Sequence, residues 1–406
     1  MQVPCQQAAK RGSSLDRRDP PGSGRAAADK ARERQLVDGL SVLVTPRPNA
    51  DRIAAWDTLV AATPSSDVAQ LSAWADLREL ADYHPLYVLA SSGPELLGGA
   101  VLLARRIRGV GRVSYLPYGP VLAADLGGAR NAVRERVADT LATIGRSQLA
   151  MFVQPPDGGE DISLSLLQRG FRFSQAGIAP AATMRVDLTQ SEADLKAALN
   201  RRLRTWTRQW PQRGVKVRVG DERDIPTLAR LAASTASYQG FTPFPEAYLE
   251  ELYAELAADD HVVLLIGELA GAPVAAELMT GIGGVLKSRI TGLDRSSAEA
   301  SKLNVASAMI WEAICWGKAS GYRAFDFGGL RPESVRVLRG GGTVHPEDLA
   351  GPDMFKTKFG GEVWTYPPAV ELIHARTVRT GYDLLRRGDG GQRLLTAVRE
   401  SLRGGR

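Results

Sequence analysis

Apolar and polar positions alternate along this chain in a pattern that occurs twice. Residues 84–103 read as an apolar strand, a glycine-containing turn and a second apolar strand, and residues 261–279 read the same way. Each hairpin is followed by a run with helical spacing and then by a short apolar strand. These segments are residues 133–145, 148–153, 303–320 and 322–327. The repeated order predicts a duplicated α/β fold, with chance similarity between two α/β halves as the alternative.

The strongest helical pattern covers residues 191–210. Ser191 is a suitable N-cap, with Asp194 at the third helical position. One face is apolar and carries Leu195, Leu199, Leu203, Trp206 and Trp210. Another face is basic and carries Arg201, Arg204 and Arg208, with Arg202 beside them. This basic face is either a solvated surface or a contact for a phosphate backbone. In the second case the arginines would recognise the nucleic acid by its charge and shape.

The composition narrows the class of protein. A chain of 406 residues suggests two or three domains, and its net charge of +6 favours polyanionic partners such as nucleic acid, phospholipid surfaces or phosphate-bearing substrates. Residues 1–37 have few large apolar side chains, which predicts a disordered tail and ordered structure from about Leu40. No apolar run approaches the ~20 residues of a membrane span. Two cysteines, Cys5 and Cys315, predict no structural disulfide and fit a cytoplasmic location.

Two glycine-rich motifs stand in the last third of the chain. Residues 325–329 read Phe-Asp-Phe-Gly-Gly, and residues 355–362 read Phe-Lys-Thr-Lys-Phe-Gly-Gly-Glu. Glycine pairs permit unusual dihedral angles and close backbone approach. A lysine held at such a corner can neutralise a phosphate or a developing oxyanion, whereas the alternative is an ordinary sheet corner with surface lysines. Asp326, in the first motif, is either a general base or a buried carboxylate that orders backbone amides.

The order and spacing of these motifs resemble the FemABX family of aminoacyl-tRNA-dependent peptidoglycan transferases. The resemblance covers about residues 80–370. It implies an α/β (α+β) chain of two tandem GNAT-like domains, with mixed sheets flanked by helices. No stretch is long enough for the coiled-coil arm of the FemA branch, so the FemX-like form is expected. The predicted divisions are a disordered tail (1–37), an acceptor-binding domain (38–185), an aminoacyl-transfer domain (186–385) and a basic C-terminal helix or tail (386–406).

The resemblance also implies a reaction. An amine of a peptidoglycan precursor attacks the ester carbonyl of an aminoacyl-tRNA, and a peptide bond forms without a further cofactor or a metal. The enzyme aligns the two reactants and stabilises the oxyanion. Lys356 is the residue predicted to stabilise that charge, Phe355 is predicted to shape its pocket, and Lys358 is the alternative lysine.

Further residues are predicted to contact the substrates. The loop at 115–120 resembles the one that holds the precursor in Fem proteins. Tyr238 and Gln239 stand where family members often carry an arginine, and Arg289 stands where they tend to carry a tyrosine. The predicted substrate-binding residues are Tyr115, Tyr118, Tyr238, Gln239, Arg289, Lys302 and Lys358. The predicted tRNA-binding residues are Arg201, Arg202, Arg204 and Arg208.

Other functions stay open at this stage. The departures at positions 238 and 289 favour the same transfer onto a natural product or amino sugar. A non-catalytic RNA-binding scaffold is a second alternative, and an acetyl-CoA-dependent N-acetyltransferase is a third. Against the third, residues 297–304 lack both glycines of a pyrophosphate cradle. Because Fem acceptors are lipid-linked, the basic chain is expected to make transient contact with the inner membrane face.

Overall fold

The computed structural model of the protein describes residues 23–387, except 108, 110, 341–347 and 350. The helices are α1 (Ser23–Asp38), α2 (Ala50–Ala62), α3 (Ser72–Glu79), α4 (Arg130–Arg146), α5 (Glu160–Leu167), α6 (Glu192–Ala198), α7 (Arg201–Gln209), α8 (Ile225–Gln239), α9 (Glu246–Ala257), α10 (Ala298–Lys302), α11 (Val305–Ala319), α12 (Pro332–Arg339), α13 (Gly351–Lys356) and α14 (Arg376–Arg387). The strands are β1 (Leu40–Thr45), β2 (His84–Ser92), β3 (Glu95–Ile107), β4 (Gly111–Leu116), β5 (Val121–Leu122), β6 (Ala150–Val153), β7 (Arg172–Phe173), β8 (Ala182–Asp187), β9 (Val215–Val219), β10 (Val262–Leu269), β11 (Ala272–Ile282), β12 (Val285–Leu293), β13 (Ala324–Asp326), β14 (Glu362–Thr365) and β15 (Val370–Leu372).

The strands form two sheets with the same topology. One sheet has the order β1-β2-β3-β4-β6-β15-β7, with β5 paired to β3, and the other has the order β9-β10-β11-β12-β13-β8-β14. In each sheet three antiparallel pairs lead to one parallel pair, which is β4 with β6 in the first sheet and β12 with β13 in the second. A helix makes each parallel crossover, α4 in the first half and α11 in the second. This architecture confirms the predicted duplicated α/β fold class.

Two strands are exchanged between the halves. β8 follows the first half in sequence but pairs with β13 and β14 in the second sheet. β15 follows the second half but pairs with β6 and β7 in the first sheet. The predicted boundary at residue 185 therefore cuts through a strand of the second sheet. No single position along the chain can separate the two sheets, because each sheet includes a strand from the other half of the sequence.

The halves also share a hydrophobic core. Trp56, Leu71 and Tyr87 of the first half lie in one buried cluster with Leu249 and Ile266 of the second. Separate clusters fill the opposite faces of the two sheets, under α4 in the first half and under α11 in the second. The two sheets consequently pack against each other through the helices between them, and the charged network described below lies at this junction.

The predicted disordered tail is wrong for residues 23–37. Residues 23–38 form α1, and Leu36 is buried. Arg32 forms a salt bridge with Glu95 at 2.8 Å, and Glu33 accepts a hydrogen bond from the amide of Gly128 at 2.7 Å. The prediction rests on the low apolar content of residues 1–37, but these polar contacts and the burial of Leu36 hold α1 against the first half. Residues 1–22 and 388–406, the latter most of the predicted C-terminal tail, lie outside the described residues.

The single helix predicted for residues 191–210 is interrupted. Ser191 caps α6 as expected, because its side chain accepts a hydrogen bond from the Asp194 amide. The backbone then becomes extended at Leu199 and Asn200, and the Asn200 side chain caps α7 by accepting from the Leu203 amide at 2.8 Å. The Asn200 amide donates to the Lys358 carbonyl at 2.9 Å. The helix is therefore interrupted at these two residues, where the backbone bonds to a segment distant in sequence.

In the described part of the chain, no helix has both the length and the hydropathy needed to cross a bilayer.

Candidate active site

A network of buried charged residues joins the two halves. Asp67, on the loop after α2, contacts two cations on β12. Its carboxylate accepts from Lys287 Nζ at 2.8 Å and from Arg289 Nη2 at 2.7 Å. The Lys287 ammonium also lies 4.2 Å from the centre of the Tyr118 ring. Two cations and one carboxylate are therefore held together where water is excluded, an arrangement that requires close pairing.

Burial and charge act against each other at this network. Burial disfavours ionisation of Asp67, but Arg289 and Lys287 outweigh it and hold the pKa of its carboxyl well below the usual range. Burial likewise disfavours the charged form of Lys287, yet Asp67 raises the pKa of that amine well above its ordinary value. All three groups therefore stay charged at neutral pH.

Asp326 lies in a second part of the same network and is saturated with hydrogen bonds. One carboxylate oxygen accepts from Thr183 at 2.6 Å and from the Gly328 amide at 2.8 Å. The other accepts from Tyr366 at 2.6 Å and from Arg185 at 3.0 Å. Burial opposes ionisation, but the nearby cations Lys287 and Arg185 keep the pKa of Asp326 below its usual range.

The placement of Asp326 corrects its prediction as a catalytic residue. A general base needs an oxygen that can reach substrate and accept its proton. Both oxygens of Asp326 are already occupied, and the side chain is fully buried. Of the two readings of the sequence, the structure supports the one in which this carboxylate orders the Gly-Gly corner.

The strand β12 carries a β-bulge, and its side chains face both sides of the second sheet. The register between β11 and β12 shifts between Leu278 and Met279, so that Leu278 pairs with Ile290 and Met279 pairs with Ser288. Arg289 is the extra residue, and it joins Thr280 and Asp67 on the face toward the first half. Ser288 instead faces the side of α11. One strand therefore contributes to two cavities.

The first cavity has a volume of about 240 Å³ and lies against the first sheet. Three of the predicted substrate-binding residues line it together: Tyr115, Tyr118 and Arg289. Trp74 completes one wall, with the Arg289 guanidinium 5.5 Å from the centre of its ring. Aromatic walls with a buried cation at one end suit a ligand that carries both an apolar or sugar surface and a negative group.

The second cavity has a volume of about 490 Å³ and lies where β12 and β13 separate. The two strands pair only from Val285 to Lys287, and α10 and α11 close the opening between them. Five predicted site residues line this cavity: Tyr238, Gln239, Phe355, Lys356 and Lys358. The structure therefore brings together residues that the sequence places more than a hundred positions apart.

Lys356 is held inside the second cavity and away from open solvent. Its ammonium donates to the Gly329 carbonyl and lies 3.8 Å from Asp353. Burial is the largest influence on the amine and lowers its pKa, although Asp353 and Asp326 act in the opposite direction. Phe355 packs edge-on against Phe359 with ring centres 5.2 Å apart, which fixes the segment that carries the lysine.

Both glycine motifs are required by the backbone geometry. Gly328 has a φ of 84°, and a Cβ there would lie 2.8 Å from the Ser288 carbonyl oxygen. Gly360 has a φ of 76°, and a Cβ there would lie 2.4 Å from the side chain of Ala198. Residues with a side chain rarely adopt such angles and would clash here. The two corners bring β13, α6 and the Lys356 segment together at the second cavity.

The basic helix lies directly beside this cavity. The side chains of Arg201, Arg202, Arg204 and Arg208 are all exposed. The hydrogen bond from the Asn200 amide to the Lys358 carbonyl ties the start of α7 to the lysine motif. An exposed cationic helix face is compatible with a phosphate backbone, and tRNA binding by these arginines stays a prediction.

Lys302 is the predicted residue that the structure leaves apart. It is exposed at the end of α10, whereas its neighbours Ser301 and Asn304 line the second cavity.

Sequence reasoning missed several residues of the site, namely Asp67, Arg185, Glu277, Lys287 and Tyr366. Glu277 carried a usable signal, because it is the one charged residue in the largely apolar strand β11.

Comparisons with known proteins agree with this geometry. Residues 179–340 match the family described as the acetyltransferase (GNAT) domain, which covers most of the second half. The chain is 25% identical over 226 residues to a lipid II:glycine glycyltransferase of Staphylococcus aureus (strain MRSA252), a match that covers 52% of this chain and 53% of that protein. It is 24% identical over 237 residues to the lipid II:glycine glycyltransferase of Staphylococcus saprophyticus subsp. saprophyticus, covering 55% of this chain and 56% of that protein. The chain thus spans about half the length of these relatives.

A solved structure extends the similarity to the whole fold. The crystal structure of FemX superposes with a TM-score of 0.69 at 18% identity, covering 85% of this chain and 99% of that one. At this identity the superposition shows a shared fold. Taken with the sequence matches, it confirms the similarity to the Fem transferases that the two glycine motifs predict.

Proposed function

We propose that this protein is a Fem-type aminoacyltransferase that moves an amino acid from aminoacyl-tRNA to an amine of a peptidoglycan precursor, either lipid II or its UDP-linked form. The named relatives act on lipid II and transfer glycine. The observation that supports the proposal most directly is Lys356, a cation enclosed in a cavity of about 490 Å³ that is also lined by Lys358, the residue to which the start of the arginine-bearing α7 is hydrogen-bonded.

In this proposal the second cavity holds the ester and admits the acceptor amine, and the first cavity holds the rest of the acceptor. The arginines of α7 position the tRNA backbone, and the aminoacyl ester enters beside Lys356. The acceptor amine attacks the ester carbonyl carbon, the bond to the ribose 3′-oxygen breaks, and the amine proton ends on that oxygen. Lys356 stabilises the negative charge that develops on the carbonyl oxygen. The ester supplies the driving force, so the proposal needs no further cofactor.

The proposed acceptor also places the protein at a surface. Lipid II is membrane-bound, so an enzyme that uses it works at the cytoplasmic face of the inner membrane. The net charge of +6 would favour transient contact with anionic lipid there. Acceptance of the UDP-linked precursor would remove the need for that contact.

A lysine substitution tests the proposal. Lys356→Met keeps much of the apolar volume but removes the cation, and we expect kcat for transfer from charged tRNA to fall about 10²–10³-fold. Lys216→Met is the matched control, because Lys216 is exposed on the outer strand β9. Near-normal turnover by Lys356→Met in a folded protein would remove the proposed role of this residue.

The choice of acceptor and donor is tested in the same assay. Labelled aminoacyl-tRNA is incubated with lipid II, with the UDP-linked precursor, or with a metabolite extract. Label in the extract alone would favour the natural-product or amino-sugar acceptor, which the residues at positions 238 and 289 suggest.

Because residues 179–340 match the acetyltransferase (GNAT) domain, binding of coenzyme A is tested as well. Thermal stabilisation by coenzyme A, with no transfer from tRNA, would replace the proposal with an acetyltransferase. Salt-sensitive tRNA binding without transfer to any acceptor would indicate an RNA-binding scaffold.

A further inference from the structure

One buried carboxylate in the second half has no cationic partner. Glu277 lies in the middle of β11 and is fully buried. One of its carboxylate oxygens accepts a hydrogen bond from the Ser288 hydroxyl, and the other, Oε2, has no hydrogen-bond partner in the described part of the chain. The other fully buried carboxylates, Asp326 and Glu371, are each paired with arginine. Glu277 is therefore not explained as half of a structural ion pair.

The route from Glu277 to the cavity passes through β12. Ser288 and Thr291 both line the second cavity, as Lys356 does. Residues three apart on a regular strand point to opposite faces, but the bulge at Arg289 places Ser288 and Thr291 on the same face as Glu277. The hydroxyl of Ser288 thus stands between a buried carboxylate and the space beside Lys356.

The surroundings of Glu277 suit a proton acceptor. Burial raises the pKa of its carboxyl to about 7, while hydrogen bonds from Ser288 and Thr291 and the charge of Lys356 act in the opposite direction. On β10, the residue paired with Glu277 is the apolar Leu265. The charged side chain that acts on the Glu277 carboxylate is Lys356. Asp353 and Asp326 in turn act on Lys356. A base whose pKa lies near the working pH is the most effective kind.

We propose that Glu277 takes up the proton of the attacking amine through Ser288. The inference rests on the proposed function and supplies the base that its chemistry requires. As the amine nitrogen bonds to the ester carbon, its proton moves to the Ser288 oxygen and the hydroxyl proton of Ser288 moves to Glu277. The reverse relay returns one proton to the ribose 3′-oxygen as it departs. Ser288 is the group that contacts substrate, and Glu277 is the positioning residue and proton store behind it.

The test measures transfer from charged tRNA to lipid II at pH 5.5–8.5. The acceptor amine also titrates, so the readout is the ratio of kcat/KM in wild type to that in Glu277→Gln. Because the ionised carboxylate is the active form, this ratio should rise with pH up to about 7 and then level. Glu277→Gln keeps the shape but cannot take a proton, so we expect a loss of about 10²–10⁴-fold above pH 7. Ser288→Ala should lose a similar factor. Glu268→Gln, on the neighbouring strand β10 and outside both cavities, is the matched control and should keep the wild-type profile.

Thermal unfolding provides a readout that does not depend on activity. The pKa of Glu277 rises on folding from its ordinary 4.5 to about 7, so its ionisation destabilises the wild type progressively as pH rises through that window. Glu277→Gln lacks this cost. Its melting temperature relative to that of wild type should therefore increase between pH 5 and pH 8, and this also verifies that the variant folds.

The outcomes separate the inference from the function on which it rests. Transfer by wild type with full activity in Glu277→Gln, or a wild-type-to-variant ratio that does not change with pH, would overturn the relay and leave the proposed function standing. No transfer by wild type to any acceptor would overturn both. Loss in Glu277→Gln and in Ser288→Ala, with a wild-type-to-variant ratio that rises up to about pH 7 and with tRNA affinity unchanged, supports the relay.

Discussion

At the scale of single residues, Asp67 is the side chain on which the junction of the halves depends. It is the one carboxylate bonded to both Lys287 and Arg289 among the described contacts, and both cations are largely buried. Replacing two buried ion pairs with two unpaired cations leaves charges that water cannot reach. Loss of Asp67 should therefore destabilise the folded protein because Lys287 and Arg289 would remain buried without a counter-charge.

Asp67→Asn should lower the free energy of unfolding by about 3–5 kcal/mol, the usual effect of removing one partner of a buried pair. Asp139→Asn is the control: Asp139 also pairs with an arginine, at 2.7 Å, but its side chain is 65% exposed, so about 0–1 kcal/mol is expected. Denaturant unfolding at pH 7 measures both. Equal small losses would mean that the junction does not rely on Asp67.

The pH dependence of this stabilisation has a definite sign. The pKa of Asp67 is lower in the folded protein than its ordinary value of 3.8. Its contribution is therefore complete above that value and is lost as pH falls below it. Asp67→Asn should accordingly differ less from wild type in acid than at pH 7.

At the scale of elements, the interruption between α6 and α7 connects binding to chemistry. A continuous helix would carry the arginines past the lysine motif, whereas the extended residues at 199 and 200 tie the start of α7 to Lys358. The buried face of α7 rests on Leu203 and Trp210, which leaves its arginines exposed. We therefore expect α7 to contribute electrostatic affinity for tRNA and little sequence preference.

Replacing Arg201 and Arg208 together by glutamine should weaken tRNA binding at every sequence tested. Glutamine has a helix propensity close to that of arginine, so the helix should persist. Each lost phosphate contact should reduce the slope of log affinity against log salt by about one. Arg136→Gln with Arg223→Gln, two exposed arginines elsewhere, is the control for net charge. An unchanged slope in the α7 variant would exclude this face as the tRNA contact.

At the scale of the whole molecule, exchanged strands and a shared core make the two halves one structural unit. β8 and β15 each complete the sheet of the opposite half, and one hydrophobic cluster takes residues from both. The bulged strand β12 then separates the two cavities, with Arg289 on one side and Ser288 on the other. In the proposed function the acceptor amine must therefore extend past this strand into the second cavity, where the ester lies.

If the two cavities bind different substrates, a substitution in one cavity should weaken the binding of one substrate and leave the other unchanged. Tyr115→Ala removes an aromatic wall of the first cavity, so the KM for the acceptor should rise about tenfold while the Kd for tRNA stays unchanged. The Arg201 and Arg208 double variant should show the reverse pattern. Steady-state transfer and filter binding measure the two quantities. A rise in both constants in each variant would contradict separate cavities.

Local patterns in the amino-acid sequence were enough to predict the elements and their repeated order, because strand and helix periodicities are local properties of the chain. The hairpins at 84–103 and 261–279, the N-cap at Ser191 and the two glycine corners all lie where local patterns predict them. The tertiary structure alone decided which strands the sheets exchange, where Asn200 interrupts the helix, and which carboxylate faces a cavity. These outcomes depend on contacts such as that between Asp67 and Lys287, 220 positions apart. Local patterns do not encode such contacts, because the pairing energy arises only when the folded halves exclude water between them.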